Sequence, residues 1–188
     1  MSNFSFQPMS IADVVLIAPR VHGDERGYLM ETYEHEAFRS AGIAAAFVQD
    51  NQSQSKRRGT IRGLHFQREP AAQAKLIRVI RGAILDVAVD LRPNSPTYGR
   101  WCSAELSSDD GREMFLPRGF AHGFCTLADD TVVAYKVDAA YSKAHEGGIV
   151  WNDPRIGINW PVDDRDAILS DRDRALPEFD AAVGAAKG

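Results

Sequence analysis

The segment Arg62–Gln67 contains the side chain best suited to move a proton near neutral pH. Its sequence, RGLHFQ, places His65 in a strand-like pattern, and imidazole titrates between about pH 5 and 8. His65 is a candidate general base, although a core histidine bonded to a backbone carbonyl explains the same pattern. Arg62 lies three positions earlier, so a regular strand would direct the two side chains to opposite faces. If both line one cavity, we expect a bulge at Gly63.

A second histidine, His122, ends the string Pro-x-Gly-x-x-His that starts at Pro117. This string resembles the second sequence motif of cupins, in which proline and glycine turn the chain and the histidine points into a small β-barrel. Metal-binding cupins also carry a His-x-His pair and a carboxylate on an earlier strand. Here Gln67 stands where the second histidine of that pair would be. Two histidines without a third strong ligand make a poor zinc or iron site, so we expect no catalytic metal.

Other polar side chains have ordinary interpretations when each is taken alone. Tyr135 shares a strand face with two valines, as a core tyrosine does. Lys75 begins a predicted strand, where lysine commonly protects an edge. The charged residues at 26–31 and 170–173 are typical of solvated surface. No single segment therefore decides the function.

Short strands separated by turns have to position these side chains. The run Lys75–Leu91 breaks only at Arg81-Gly82, and beyond the break leucines and valines alternate with aspartates and an alanine, which predicts a strand with one apolar face. Further strands are predicted at 14–18, 28–33, 47–53, 60–67, 100–106, 113–117 and 131–137. Turn signals at intervals of roughly 8–12 residues favour a sandwich or barrel. Helix is scarce: we expect one over Glu34–Ala41, ended by Gly42, and another after Ser170.

Composition restricts the class of protein. The 188 residues carry 22 basic and 26 acidic side chains, a net charge of −4, so no global positive field favours nucleic acid. The apolar runs are far shorter than the roughly 20 residues of a membrane helix, and the N-terminus lacks an export-signal pattern. We therefore expect one cytoplasmic globular domain over residues 1–188, with a tail over about 175–188. Cys102 and Cys125 are expected to be buried free thiols.

Taken in chain order, the segments resemble the dTDP-4-dehydrorhamnose 3,5-epimerase family over nearly the whole chain. The matching strings are Arg26-Gly27-Tyr28 with Glu31, Phe47–Asn51, Gly59 with Arg62–His65 and Gln67, Lys75–Val79, Asp86–Asp90, Pro117–Phe124, Tyr135-Lys136, Gly148-Ile149, Trp151–Pro154 and Trp160-Pro161. The resemblance implies a mainly β fold, a cupin-type double-stranded β-helix or jelly-roll barrel with a few short helices. It also implies a symmetric homodimer with the N-terminal strands at the interface, where each crosses to the neighbouring subunit.

The activity implied by the resemblance is an isomerase reaction on dTDP-4-dehydro-6-deoxy-D-glucose. Its C3 and C5 protons flank a ketone at C4, so inverting both centres needs a base, an acid on the opposite face and a stabilised enolate. His65 matches the family's base, Tyr135 its acid and Lys75 the cation near the C4 oxygen. Asp173, with Asp171 as the alternative, matches the carboxylate that orients the base. Because proton transfer beside an existing ketone is redox-neutral, we expect no cofactor.

The resemblance also implies a site for the nucleotide. Arg26 and Arg62 would hold the diphosphate, because a guanidinium fork matches phosphate oxygens. Tyr141 matches the aromatic residue that stacks on thymine. The full set of implied substrate contacts is Arg26, Glu31, Gln49, Asn51, Arg62, Lys75, His122, Tyr141, Glu146 and Arg172. One departure is Leu29, which stands where an aromatic residue often packs near the nucleotide.

Three alternatives to this activity stay open in the sequence. Relatives that make antibiotic sugars keep the same base and acid but invert only C3 or favour C5. A cupin 3,4-ketoisomerase would act on the same substrate and move the ketone to C3. A non-catalytic cupin would bind a sugar nucleotide or a metal and exchange no protons with solvent.

Overall fold

The computed structural model describes residues 2–184, and most of its regular structure is β-strand. The strands are β1 (Phe4–Pro8), β2 (Val15–Pro19), β3 (Val21–Asp24), β4 (Gly27–Met30), β5 (Gln49–Ser55), β6 (Ile61–Gln67), β7 (Lys75–Arg81), β8 (Ala83–Asp90), β9 (Trp101–Ser107), β10 (Glu113–Leu116), β11 (Phe120–Thr126), β12 (Thr131–Val137) and β13 (Glu146–Gly148). The helices are α1 (His35–Ser40), α2 (Asp171–Arg174) and α3 (Phe179–Gly184), with a 3₁₀ turn at Lys143–His145. The predicted mainly β class with a few short helices is confirmed.

Two antiparallel sheets make up the barrel. The six-stranded sheet has the order β1-β2-β10-β7-β12-β5, and the five-stranded sheet has the order β13-β6-β11-β8-β9. Strands β3 and β4 form a hairpin that pairs with no other described strand. Many neighbours in the sheets are distant in sequence, as in a jelly roll, so the chain passes repeatedly from one sheet to the other. The sequence pattern does not predict β1, β3, β11 and β13, and it extends β4 beyond Met30, where the strand ends.

The principal core lies between the two sheets. Ile77 of β7 and Val133 of β12 pack in one cluster with Ala88 of β8, Leu106 of β9 and Phe124 of β11. Alternate residues of each strand supply these contacts, because side chains point to opposite faces along a strand. The space between the sheets therefore has a dry apolar part, and a polar cavity adjoins it at Phe124.

Strand β8 is buried on both faces, whereas its sequence pattern predicts one apolar face. Val87 and Val89 point away from the space between the sheets and pack with Ile149 and Phe179. The alternate residues face the inside, and one of them is Asp86, which is fully buried. A charged residue in such a position needs a partner, because an isolated buried carboxylate is strongly unfavourable.

Helix α1 covers the outer face of the six-stranded sheet. The prediction of a helix at Glu34–Ala41 is confirmed, with both end residues acting as caps. The Glu34 carboxylate accepts hydrogen bonds from the amides of Glu36 and Ala37 at 2.9 and 2.6 Å, which satisfies two of the free N–H groups of the first turn. Phe38 anchors the helix in a third apolar cluster on this face.

The C-terminal region differs from the predicted tail. Residues 185–188 of that tail lie outside the described part of the chain, but residues 179–184 form α3. Phe179 and Ala182 are buried in the cluster that covers the five-stranded sheet, and the Phe179 amide donates to Asp153 Oδ2 at 2.7 Å. The prediction is therefore wrong for residues 179–184, because their apolar side chains cover a sheet face that water would otherwise contact.

Both cysteines, Cys102 and Cys125, are buried free thiols, which confirms the prediction. Burial raises the pKa of each thiol to about 11, so neither is a reactive thiolate at neutral pH. Within residues 2–184, no helix has the length and apolar character to cross a bilayer.

Candidate active site

A polar cavity of about 440 Å³ lies between the two sheets and collects most of the predicted site residues. Its lining residues are Gln49, Asn51, Ser53, Arg62, His65, Phe66, Gln67, Gln73, Lys75, His122, Phe124, Tyr135, Tyr141, Glu146, Arg172 and Asp173. They come from both sheets, from the 3₁₀ region and from α2, so elements that are distant in sequence converge on one volume. That volume is in the range of small-molecule sites.

The bulge expected in β6 is present and brings Arg62 and His65 to the same cavity. His65 lies opposite His122 on β11, and Arg62 lies opposite Phe124, so β6 uses one more residue than β11 over this interval. Gly63 has a φ of +122°, and a Cβ atom there would lie 2.7 Å from the His122 carbonyl oxygen. Only glycine fits this crowded, left-handed position.

The candidate base is held by a buried carboxylate. His65 Nε2 lies 2.7 Å from Asp173 Oδ1, and the Asp173 amide donates to the Ser170 hydroxyl at 3.1 Å, which fixes the start of α2. A carboxylate only accepts, so Nε2 carries a hydrogen, and in the neutral ring Nδ1 keeps a lone pair. Burial acts to raise the pKa of Asp173, but His65, Ser170 and Arg172 together outweigh it, and the pKa lies below its usual range. Asp171 is exposed and lies outside the cavity lining, so the geometry favours Asp173 of the two alternatives.

The candidate acid and the candidate cation face the base from the six-stranded sheet. Tyr135 extends from β12, and burial raises the pKa of its phenol, which keeps the hydroxyl protonated at neutral pH. Lys75 begins β7 and is 8% exposed, and its Nζ lies 3.4 Å from the His65 carbonyl oxygen. Burial lowers the pKa of Lys75 to about 8, and the Asp86 carboxylate opposes that shift.

The mouth of the cavity combines an exposed aromatic ring with cationic groups. Tyr141 is 55% exposed, and its hydroxyl donates to Glu146 Oε2 at 3.1 Å. Glu146 in turn forms an ion pair with Arg172. Arg62 is held by Ser55, whose hydroxyl accepts from Nε at 3.1 Å. Guanidinium groups and a free aromatic face suit an anion that carries a flat ring.

The comparison with known proteins decides the family. The family model for dTDP-4-dehydrorhamnose 3,5-epimerase matches residues 8–181. This chain belongs to that family. A dTDP-4-dehydrorhamnose 3,5-epimerase of Sinorhizobium fredii is 54% identical over 174 residues, which cover 93% of this chain and 89% of the relative.

Solved structures agree with the family match. The dTDP-4-dehydrorhamnose 3,5-epimerase of Bacillus anthracis, solved with TDP and PPi bound, superposes with a TM-score of 0.90 at 49% identity and covers 94% of this chain and 99% of its own. The dTDP-6-deoxy-D-glucose-3,5-epimerase of Legionella pneumophila, in complex with dTDP-4-keto-L-rhamnose, gives 0.90 at 37% identity, with 96% of each chain covered. The predicted family and its cupin-type fold are confirmed.

Two residues that the family resemblance assigned to the substrate lie outside the cavity. Arg26 is in the β3–β4 hairpin, where it pairs with Asp24 beside a separate surface groove. Glu31 follows the hairpin and is exposed. Neither residue therefore lines the cavity that the described residues of one chain form. The physical reason is that the hairpin projects from the barrel, with Tyr28 and Leu29 67% and 74% exposed.

Sequence reasoning missed several polar residues of this epimerase site. Ser53 and Gln73 line the cavity, and Asp86 binds a lining histidine, His122, at 2.7 Å. The sequence feature that could have indicated Asp86 is its position on the face of β8 that points into the barrel. The prediction of only one buried face for β8 placed Asp86 on the solvent side instead. Among the described residues, no three His, Cys, Asp or Glu side chains are arranged to hold a metal ion.

Proposed function

We propose that this chain epimerises dTDP-4-dehydro-6-deoxy-D-glucose at C3 and C5 to form dTDP-4-dehydro-L-rhamnose. One observation carries the proposal: His65, backed by Asp173, and Tyr135 come from opposite sheets into one cavity that also holds Lys75. A pyranose between them would present one face to the imidazole and the other to the phenol. Family membership supplies the substrate class for that geometry.

In the proposed reaction, His65 Nδ1 takes the proton from the carbon beside the C4 ketone. The C–H electron pair moves into the ring and the carbonyl pair moves onto the C4 oxygen, so an enolate forms. The Lys75 ammonium stabilises that oxygen, an interaction worth about 3–4 kcal/mol for one aimed donor. Tyr135 then gives its proton to the opposite face of the carbon, and solvent restores both residues. No electrons enter or leave the sugar.

The nucleotide would occupy the mouth of the cavity. Arg62 would bind the diphosphate, and the exposed ring of Tyr141 would stack on thymine. Gln49 and Asn51 already share a hydrogen bond of 2.8 Å and would contact the nucleoside. The ion pair of Glu146 and Arg172 would close the same side of the site.

We further propose that residues 1–188 form one cytoplasmic domain that works as a homodimer. The unpaired hairpin supports this proposal, because Tyr28 and Leu29 expose apolar surface that a second subunit would cover. Exchange of the hairpin would bring Arg26 and Glu31 to the neighbouring cavity.

Co-refolding Arg26→Ala with His65→Ala tests this exchange, since mixed dimers contain one site in which both Arg26 and His65 are present. Activity should rise to about a quarter of the wild-type value in an equal mixture, and a mixture no more active than its components contradicts the exchange of the hairpin between subunits.

The experiment for the activity is incubation of the ketosugar nucleotide in heavy water. The epimerase incorporates deuterium at C3 and C5 and yields the L-sugar, as seen by proton NMR and mass spectrometry. A C3-only or C5-selective enzyme labels or inverts one centre, a ketoisomerase moves the ketone, and a binding protein does neither. His65→Ala should abolish exchange while dTDP still binds, and retained exchange removes His65 from the role of base.

A further inference from the structure

A second histidine–carboxylate pair lies behind the wall of the cavity. His122 Nε2 is 2.7 Å from Asp86 Oδ1, and the two side chains are 8% and 0% exposed. His122 lies opposite His65 on β6 and opposite Ala88 on β8, so β11 places it between the base and the strand of Asp86. His122 lines the cavity, whereas Asp86 does not. Asp86 can therefore affect the reaction only through its neighbours.

The hydrogen bond to Asp86 selects one form of His122. Because a carboxylate only accepts, His122 Nε2 carries the hydrogen. Burial, with smaller contributions from Lys75 and His65, lowers the pKa of His122 by more than Asp86 raises it, so the ring is neutral at pH 7. Nδ1 then keeps a lone pair, and the ring can accept a hydrogen bond from a sugar hydroxyl.

Lys75 also depends on Asp86. The lysine is buried, and the hydrogen bond of its Nζ in the described structure goes to a neutral carbonyl, that of His65. Asp86 is the charge that opposes the effect of burial on the pKa of Lys75. Asp86 Oδ2 is buried and has no hydrogen-bond partner within the described residues. An unpartnered carboxylate oxygen in such a place is unfavourable unless a cation lies near it.

Other carboxylates of the site are already engaged. The titratable and charged groups that line or back this part of the cavity are Arg62 and His65 from β6, Lys75 from β7, Asp86 from β8, Cys102 from β9, His122 from β11, Tyr135 from β12, Glu146 from β13, and Arg172 and Asp173 from α2. Asp173 is bonded to His65, and Glu146 is paired with Arg172. Glu113 of β10 lines a different cavity, on the opposite face of the six-stranded sheet.

We infer that Asp86 is a positioning residue for the epimerase reaction, which holds His122 as a neutral acceptor and keeps the Lys75 ammonium charged beside the enolate oxygen. The inference rests on the proposed function. Asp86 would then support the residues beside the enolate oxygen, in the same way that Asp173 supports the base His65. One aspartate thus orients the group that removes the proton, and the other maintains the group that stabilises the resulting charge.

The change Asp86→Asn tests the inference, because asparagine keeps the shape of the side chain but removes the charge. We expect kcat to fall about 10- to 100-fold at pH 8, the range seen when a carboxylate that orients a metal-bound histidine is replaced. Without the Asp86 charge, Lys75 loses its proton at lower pH, so the alkaline limb of the kcat profile moves to lower pH. The loss of kcat should therefore be smaller at pH 6.5 than at pH 8. Asp86→Glu should return that limb toward its wild-type position.

The matched control is Glu113→Gln. Glu113 is fully buried like Asp86, and both of its carboxyl oxygens lack partners in the described structure. Its substitution removes a buried carboxyl group from the other face of the sheet, so its pH profile should overlay that of the wild type. An Asp86→Asn profile with an unmoved alkaline limb overturns the inference, even if the rate falls, because it leaves Asp86 a purely structural role.

A measurement without substrate separates this inference from the proposed function. The chain has five lysines, so lysine-labelled NMR can follow Lys75, assigned through Lys75→Arg. The Lys75 titration midpoint should be lower in Asp86→Asn than in wild type. If wild type exchanges no substrate protons but the midpoint falls, the proposed function fails and the coupling of Asp86 to Lys75 stands. If exchange occurs and the midpoint stays, the inference fails alone. A neutral Lys75 amine in wild type at pH 7 overturns it without any variant.

Discussion

The tautomer of His65 depends on Asp173, and Asp173→Asn tests that dependence. The hydrogen bond from His65 Nε2 to Asp173 Oδ1 is 2.7 Å long, and it leaves Nδ1 as the basic atom. The amide of asparagine can instead donate to Nε2, which favours the hydrogen on Nδ1. The lone pair that should remove the proton from C3 or C5 is then absent from most of the molecules.

The expected loss follows from the role of the base. A positioned general base contributes about 10²–10⁴ in rate, which corresponds to roughly 3–5.5 kcal/mol of transition-state stabilisation. Asp173 is 5% exposed, so solvent has little access to take over its hydrogen bond. Burial raises the pKa of Asp173, but His65, Ser170 and Arg172 together lower it by more, so the carboxylate stays ionised across the neutral range. We therefore expect kcat to fall by at least 100-fold.

The assay is deuterium incorporation at C3 and C5 of the ketosugar nucleotide, with dTDP binding measured by calorimetry to show that the cavity is intact. Asp171→Asn is the matched control, because Asp171 begins the same helix but is exposed. Its rate should stay within about twofold of wild type, as for surface substitutions generally. An Asp173→Asn enzyme with a rate less than tenfold below wild type, or an equal loss in Asp171→Asn, refutes the tautomer argument.

Three other substitutions separate the roles of the acid, the bulge and the helix cap. Tyr135→Phe should keep the deuterium exchange that His65 catalyses but lower the yield of inverted sugar about 100-fold or more. An equal loss of deuterium exchange and of inverted sugar in NMR spectra would argue against Tyr135 as the acid. Gly63→Ala should destabilise the fold by about 1–3 kcal/mol, because its Cβ would lie 2.7 Å from the His122 carbonyl oxygen at a φ of +122°. An unchanged urea midpoint contradicts that packing. Ser170→Ala removes the hydroxyl that accepts from the Asp173 amide at 3.1 Å and should cost about 1 kcal/mol. It should also lower kcat severalfold with little change in KM, whereas an unaltered kcat would mean that other contacts hold Asp173.

Structural features that depend on a few consecutive residues, such as a strand bulge or a helix start, could be predicted from the sequence. The bulge at Gly63 followed from the parity of Arg62 and His65, because a strand alternates its faces every residue. The helix start at Ser170 followed from a side chain that can accept from a free amide of the first turn. The strings in chain order identified the family, and with it the expectation that a histidine and a tyrosine act from opposite faces of the sugar.

Contacts between distant segments were decided by the tertiary structure alone. The choice of Asp173 over Asp171 depends on how α2 meets β6 across 108 positions of sequence, and periodicity within either segment does not encode that. The burial of Asp86 also depends on the tertiary structure, because β8 is covered on both faces. The sequence of one strand does not show what packs on its second face. Arg26 lies outside the cavity because β3, which the strand pattern does not predict, pairs only with β4, and the sequence of one strand does not encode its pairing partner. Caps and bulges depend on a few consecutive residues, so the sequence predicts them. Burial and strand register depend on the sum of weak contacts between distant parts of the chain, so only the tertiary structure decides them.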